Sequence, residues 1–371
     1  MKHLGDITKL SGYVVPAVDV VIGGSPCQGL SVAGKHAGLK DERSGLFIEQ
    51  IRLVKEMRKA DAARGKTNDA IRPRYMVWEN VPGAFSSNQG RDFEAVLEET
   101  VRVAEPKAPP VPVPAKGWPT SGCLVGDGWS VAWRVLDAQF WGTPDKPLPQ
   151  RRRRISLVAD FGGRTAPEIL FERTSVSWHP DASIQTWKST AGLAKNCAAG
   201  NVREHAGCLT PWDSQGRRVY DENGIFPSLQ AREKAGGNQQ TVLTKTSGDR
   251  KDVSWVVRRL TPMECERLQG YPDGWTDIGS WVDSKGKKRP ESSDAARYKA
   301  LGNSIAIPPW KWVLKRLCAI YERDATMASL FDGIGGFPYI WEQLNGKGSC
   351  LWASEIEPFP IAVTKYHFGE E

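Results

Sequence analysis

The sequence predicts an α/β protein: a mostly parallel sheet with helices on its faces, joined to a second domain poor in regular structure. Three observations carry that expectation. Short apolar runs at 18–22 and 74–78 stop at residues that bear chemistry, as strands of open α/β sheets do at their carboxyl ends. A strand, a glycine turn, a helix and a second strand follow one another over 325–353, with an acidic residue at the end of the second strand. Between these blocks, residues 160–253 lose periodicity and turn to Trp, Gly, Ser, Thr and Asn, with basic and aromatic side chains interleaved.

The opening residues, 1–8, read as the end of a short strand carrying Asp6. The β-branched run 18–22 then delivers Gly23-Gly24-Ser25-Pro26-Cys27-Gln28, a turn in which glycines leave room for a ligand and Pro26 stiffens the backbone before a thiol. A lone cysteine is more often a small buried hydrophobe, so its meaning depends on the rest of the chain. A Gly- and Lys-rich loop occupies 32–43. Leu46, Phe47, Ile51, Val54 and Met57 then recur at helical spacing and predict a helix over 44–59, with a polar linker at 61–72. The second strand ends in Glu79-Asn80-Val81-Pro82-Gly83, which brings a carboxylate to the same sheet edge as Cys27. A helix is expected over 92–103, and the proline-rich stretch 106–119 as an extended surface insertion.

Trp129, Val131, Trp133 and Val135 alternate with smaller or polar residues and predict a strand. Gln150-Arg151-Arg152-Arg153-Arg154 leads into another at 155–159, so alternate arginines should face a cleft rather than solvent. Thr261-Pro262-Met263-Glu264 has the form of a capping box with proline at the first helical position, and Gly270 should end that helix. A charged, flexible stretch is expected over 283–294, and Gly302-Asn303-Ser304 should introduce a helix over 309–322. The last block is a strand at 325–331, the turn Asp332-Gly333-Ile334-Gly335-Gly336, a helix at 337–344, and a strand at 350–353 ending in Ser354-Glu355-Ile356. Glycines that admit a ligand and a carboxylate that takes ribose hydroxyls form the recipe for an adenosine-type cofactor.

At 371 residues the chain is long enough for two domains. Lys and Arg outnumber Asp and Glu by 50 to 43, a net charge of +7, which suits a polyanionic partner. The seven cysteines are scattered without a Cys-x-x-Cys pair, which argues against a disulfide framework or a metal site and fits a reducing cytosol. No signal segment or apolar run of membrane-spanning length is found, so a soluble, cytoplasmic protein is expected.

Taken together these motifs resemble the cytosine-C5 DNA methyltransferases. Phe331, Asp332, Gly333, Ile334, Gly335 and Gly336 resemble the family's S-adenosylmethionine motif, Glu355 with Ile356 its ribose-binding site, and Asp6-Ile7 the segment that contacts the adenine. Pro26-Cys27-Gln28 resembles the nucleophile motif and Glu79-Asn80-Val81 that of the catalytic glutamate. Arg152 and Arg154 fit a Gln-x-Arg-x-Arg motif, residues 259–275 the motif after the recognition region, and Asn303 with Ser304 the motif that closes over the cofactor.

The resemblance implies a Rossmann-like catalytic domain over 1–159 and 296–371 and a smaller, loop-rich target-recognition domain over 160–295. It implies a DNA (cytosine-5-)-methyltransferase (EC 2.1.1.37) using S-adenosylmethionine and no metal. Cys27 adds to carbon 6 of a flipped-out cytosine, protonated Glu79 acts at N3, Arg154 holds the ring oxygen and Arg152 the neighbouring phosphate. Pro26 belongs to the cofactor-contacting set. The partner is double-stranded DNA with no membrane, acted on by a monomer of the bacterial or phage restriction-modification kind that needs no cognate endonuclease. One departure is large: the cofactor motif stands last instead of first, so the chain reads as a circular permutation in which residue 371 leads into residue 1 in the family order. A transfer-RNA methylase lacks support, because its Cys-Phe-Thr signature is absent. A nicotinamide oxidoreductase explains the glycine turn but not the two strand-end groups.

Overall fold

The computed structural model describes residues 1–25, 45–143, 146–171, 207–210, 218–221, 224–229, 241–246, 254–283 and 285–369. Pro26, Cys27 and the loop after them lie outside the described residues. The chain divides into two compact units, one of Met1–Leu136, Arg153–Val176 and Lys311–Glu371, the other of Asp137–Arg152 and Ser177–Trp310. Compared with the boundaries expected from the sequence, this division assigns 137–152 and 296–310 to the second unit and 160–176 to the first.

The first unit is built on an eight-stranded sheet. In chain order its strands are β1 (Lys2–His3), β2 (Val20–Gly23), β3 (Tyr75–Asn80), β4 (Ser121–Val125), β5 (Ser130–Asp137), β6 (Arg153–Asp160), β7 (Met327–Leu330) and β8 (Cys350–Ser354). They lie side by side as β1-β8-β7-β2-β3-β6-β5-β4. The pairs from β1 through β3 are parallel, whereas β6 runs antiparallel to β3 and β4 to β5. Two strands from the far end of the sequence therefore sit inside the sheet, between β1 and β2. Val20, Val21, Ile22, Tyr75, Met76, Val77, Trp78, Met327 and Ala328 have no exposed surface, the burial expected of central strands covered on both faces.

Helices α1 (Gly45–Ala63) and α2 (Arg91–Ala104) supply much of one cover, through Phe47, Ile51, Val54 and Met57 of α1 and Phe93, Val96 and Leu97 of α2. The short α3 (Ala166–Leu170) follows β6. In the second unit, α4 (Pro262–Gln269) begins with the reciprocal capping box of Thr261 and Glu264 and ends at Gly270 in the left-handed conformation, as its sequence dictates. Next come α5 (Asp294–Asn303), α6 (Ile307–Cys318), α7 (Gly336–Asn345) and α8 (Pro358–Phe368). Arg316 of α6 donates to the carbonyls of Ile169 at 2.7 Å and Phe171 at 2.8 Å, satisfying the otherwise open end of α3.

Three expectations need correction. The stretch 106–119 lacks helix and strand but is not a loose insertion: Trp118 stacks against Phe93 and Trp133 and donates to the Gly90 carbonyl at 2.7 Å. Part of the charged stretch 283–294 is ordered as a hairpin, Trp281–Val282 against Lys288–Arg289. The helix α5 replaces an expected loop, its N-terminus capped by the Ser293 side chain, which accepts from Ala296 N at 3.4 Å.

Candidate active site

Two strand ends meet at the carboxyl edge of β2 and β3. Gly23 is paired with Trp78, so Glu79 projects one residue beyond, next to the turn that leaves β2. A Cβ on Gly24 would lie 2.9 Å from Glu79 Oε2, which is why glycine stands there: any larger residue would push the carboxylate aside. The same turn is held on both flanks of Glu79. Trp78 Nε1 donates to Ser25 Oγ at 2.9 Å and Asn80 Nδ2 to the Ser25 carbonyl at 3.1 Å, both buried. Three consecutive residues of β3 thus fix the two residues that precede Pro26-Cys27.

The arginine run behaves as its alternation predicts. Arg153 is exposed, while Arg154 turns inward and its Nε lies 2.8 Å from Glu79 Oε1. The pair is held on neighbouring strands, because Glu79 stands opposite Ser156 in the antiparallel register of β3 and β6. Arg152, in the second unit, is only 2 % exposed and donates to the carbonyls of Gly302 and Ser304. That is a correction to the phosphate contact implied by the resemblance: a guanidinium buried against backbone carbonyls shapes the loop after α5 instead. Gln269 and Tyr271 bind the same loop, through the Leu301 carbonyl and the Ser304 hydroxyl. Asn303 is exposed at the end of α5 and Ser304 is its C-cap.

A second constellation lies at the carboxyl ends of β7 and β8. Phe331 and Gly333 have φ of 54° and 57°, and Gly335 caps α7 in the left-handed conformation. Gly335 is also required by space, since a Cβ there would come within 2.7 Å of the Phe368 ring, whereas Gly333 faces open space. Ile334 and Gly336 are buried in the first turn of packing. Glu355 is aimed by three backbone donors, Gly333 N at 2.8 Å, Ile356 N at 2.7 Å and Glu357 N at 2.9 Å. Beside it Ile356 is 68 % exposed, an apolar side chain left in the open. Burial pushes the Asp332 carboxyl up to about 7, with the hydrogen bond from Ser329 opposing and the charge of Glu355 adding to the rise.

Asp6 lies three residues past β1, whose strand is parallel to β8, and its carboxylate accepts from Thr8 N at 3.0 Å; that bond holds it below the usual aspartate range. Ile7 is 3 % exposed and packs in the core, so its side chain serves packing and not, as the resemblance implies, a ligand.

No sequence signal marked Gly24, Trp78 or Ser25 individually, although all three flank motifs that the sequence did reveal. A carboxylate with an arginine partner at one strand edge, and a glycine turn with an aimed carboxylate at another, define an α/β transferase of an adenosine-bearing cofactor. Residues 1–102 and 124–319 match the family model described as C-5 cytosine-specific DNA methylase, and the chain belongs to that family. The unmatched gap falls on the proline-rich stretch.

Among relatives, the protein named DNA N-6-adenine-methyltransferase of Escherichia phage P1 is 29% identical over 85% of this chain, which spans 55% of that protein's length. Type II methyltransferase M1.ScrFI of Lactococcus lactis subsp. cremoris is 26% identical, with 86% of this chain and 67% of the relative covered. Type II methyltransferase M.HhaI of Haemophilus parahaemolyticus is also 26% identical, with 82% and 77% covered. Among solved structures, the S. pombe Dnmt2 methyltransferase superposes with a TM-score of 0.41 at 16% identity, covering 85% of this chain and 82% of that one. The family's methyl donor is S-adenosylmethionine. The residues present suit it: open space at Gly333, a carboxylate aimed by three amides, and an exposed Ile356 beside it against which an adenine can lie. Among the described residues no group of side chains could hold a metal ion, and no helix is long and apolar enough to cross a membrane.

Proposed function

We propose that this chain methylates carbon 5 of cytosine within a short sequence of duplex DNA, and that Cys27, Glu79 and Arg154 act on the base. The observation that carries the reading is the Glu79 carboxylate lying over Gly24 and ion-paired to Arg154 at 2.8 Å, immediately before Pro26-Cys27 in space and sequence.

Carbon 5 is not nucleophilic enough to attack a sulfonium methyl group. Addition of the Cys27 thiolate to carbon 6 turns the ring into an enamine, with the electron pair passing through the ring to N3, where Glu79 delivers a proton. S-adenosylmethionine supplies an electrophilic methyl group. Once carbon 5 is methylated, its proton is lost to water, the thiolate leaves carbon 6, and the N3 proton returns to Glu79. Arg154 orients Glu79 and supplies a donor for the ring oxygen. None of these contacts can be made inside a duplex, so the cytosine is flipped out. The second unit, with its strands 219–221, 241–246 and 254–259, reads the DNA sequence, and its basic side chains add salt-dependent affinity for phosphates.

The chain is a circular permutation of the family order. What supports this is the position of β7 and β8 inside the sheet, together with a family match that stops at residue 319, before the glycine turn. It works as a monomer of bacterial or phage origin and needs no partner nuclease. The name of the P1 relative suggests adenine N6 as a second target, but that name describes a protein of which this chain spans 55%, and attack by an exocyclic amine needs no cysteine addition.

Incubation with duplex DNA containing 5-fluorocytosine tests the reading. Fluorine cannot leave carbon 5 as a proton does, so the enzyme should stay covalently attached through Cys27 in a denaturing gel, in a reaction that requires S-adenosylmethionine. Transfer of methyl groups to adenine, or trapping unchanged in Cys27→Ser, contradicts it.

A further inference from the structure

The turn between β7 and α7 holds a second carboxyl that the reaction leaves unused. Asp332 is 5 % exposed, and its place is fixed: its amide donates to the Ser354 carbonyl at 3.3 Å, and its own carbonyl accepts from Gly335 N at 3.1 Å. Its Oδ1 accepts from Ser329 Oγ at 2.5 Å, but Oδ2 is buried and has no hydrogen-bond partner among the described residues. An ionised carboxylate so placed forgoes solvation without compensation, and a neutral one is the cheaper state.

Its charged surroundings point the same way. Glu355, across the turn on the residue after β8, is the charge that acts on Asp332, and it repels an anion. Cys350 of β8 is also buried near Asp332, and burial holds its thiol well above the usual range, so it stays neutral. Glu342 of α7 acts on Cys350. No basic side chain contributes to the balance at Asp332. The turn therefore holds two carboxyl groups, one ionised and aimed by amides, the other sealed and short of a cation.

We propose that Asp332 senses the charge of the bound cofactor: arrival of the sulfonium cation releases the Asp332 proton to solvent, so that the site prefers S-adenosylmethionine to its uncharged thioether product, S-adenosylhomocysteine. The inference rests on the reading of this turn as the cofactor site. Both molecules carry the same ammonium and carboxylate groups, so the difference between them isolates the sulfonium. In the balance, a neutral carboxyl and a cation give a carboxylate–cation pair and one aqueous proton. Near neutrality Asp332 is poised for that exchange, and the preference should grow with pH as the carboxyl ionises.

Calorimetric titration of each ligand into the whole protein near neutral pH, in buffers of different ionisation enthalpy, counts the protons released. The methionine form should release a fraction of a proton more than the homocysteine form. The affinity ratio between them should rise from about pH 6 to about pH 8, by about tenfold for each unit by which the cation lowers the Asp332 pKa. In Asp332→Asn the two proton counts should coincide and the ratio become flat with pH. Equal proton release by the two ligands in the unaltered protein overturns the inference, even if Asp332→Asn does not fold. So does an unchanged difference in a folded Asp332→Asn. Failure of both ligands to bind overturns the reading of the turn as well, and is thereby distinct from binding without proton release.

Discussion

Glu79 and Arg154 face each other across the antiparallel pair β3–β6, with 2.8 Å between Oε1 and Nε. Both side chains are largely shielded, at 14% and 17% exposure, so the pair is better ordered than an ion pair in open water. Its orientation depends on Gly24, whose missing side chain leaves room for the carboxylate.

Replacing Glu79 with Gln should cut kcat by about 10²- to 10⁴-fold, the usual worth of one positioned acid–base group, while DNA affinity stays close to that of the parent. Gly24→Ala should lower kcat too, because the added methyl group displaces the same carboxylate. Single-turnover methyl transfer with saturating DNA checks both; an unimpaired Gly24→Ala would contradict the packing argument.

Trp78→Phe removes the donor to Ser25 Oγ and leaves a buried hydroxyl without its partner. The expected cost is about 1–3 kcal/mol in urea unfolding, with slower methylation because the turn before Cys27 loses one of its two anchors.

Acid should expose a different ion pair. Arg74 holds Asp160 through Nε at 2.9 Å and Nη2 at 3.1 Å, and Thr165 and Gly162 add further donors. Burial raises the Asp160 pKa, but these donors outweigh it and leave the group below the usual aspartate range. Its contribution is therefore complete above the unfolded aspartate value, about 3.9, and is lost as pH falls below it toward the lowered folded value. Asp160→Asn should cost about 3–5 kcal/mol at neutral pH and make unfolding less acid-sensitive, measured by urea titrations at a series of pH values.

The proline-rich stretch should contribute to stability. Trp118→Ala breaks its ring contacts with Phe93 and Trp133 and its bond to Gly90, and should cost about 3 kcal/mol by thermal or urea unfolding. A change under about 0.5 kcal/mol would restore the reading of this stretch as a loose insertion.

Much of the fold was legible where local chemistry decides structure. The runs at 20–23, 75–80, 327–330 and 350–354 form strands because they are apolar and β-branched or aromatic in a sheet covered on both faces, and Thr261 to Gly270 forms a capped helix because cap residues leave few alternatives. What was not legible depends on partners distant in sequence. The helix α5 carries little amphipathic pattern and buries chiefly Ala300, Leu301 and Gly302, so its charged start reads as a loop. Nothing local reveals that β6 runs antiparallel to β3, which is the arrangement that brings Arg154 onto Glu79. Likewise the burial of Arg152 follows from the carbonyls of Gly302 and Ser304, some 150 residues away, and not from its place in the arginine run.

The central claim is tested most directly by base-resolution bisulfite sequencing of plasmid DNA from cells that lack cytosine methylation and express this chain or its Cys27→Ser variant. Protected cytosines confined to one short recurring sequence, and absent with the variant, are the predicted result. Full conversion of every cytosine despite well-expressed, folded protein, or protection that persists with Cys27→Ser, would contradict it.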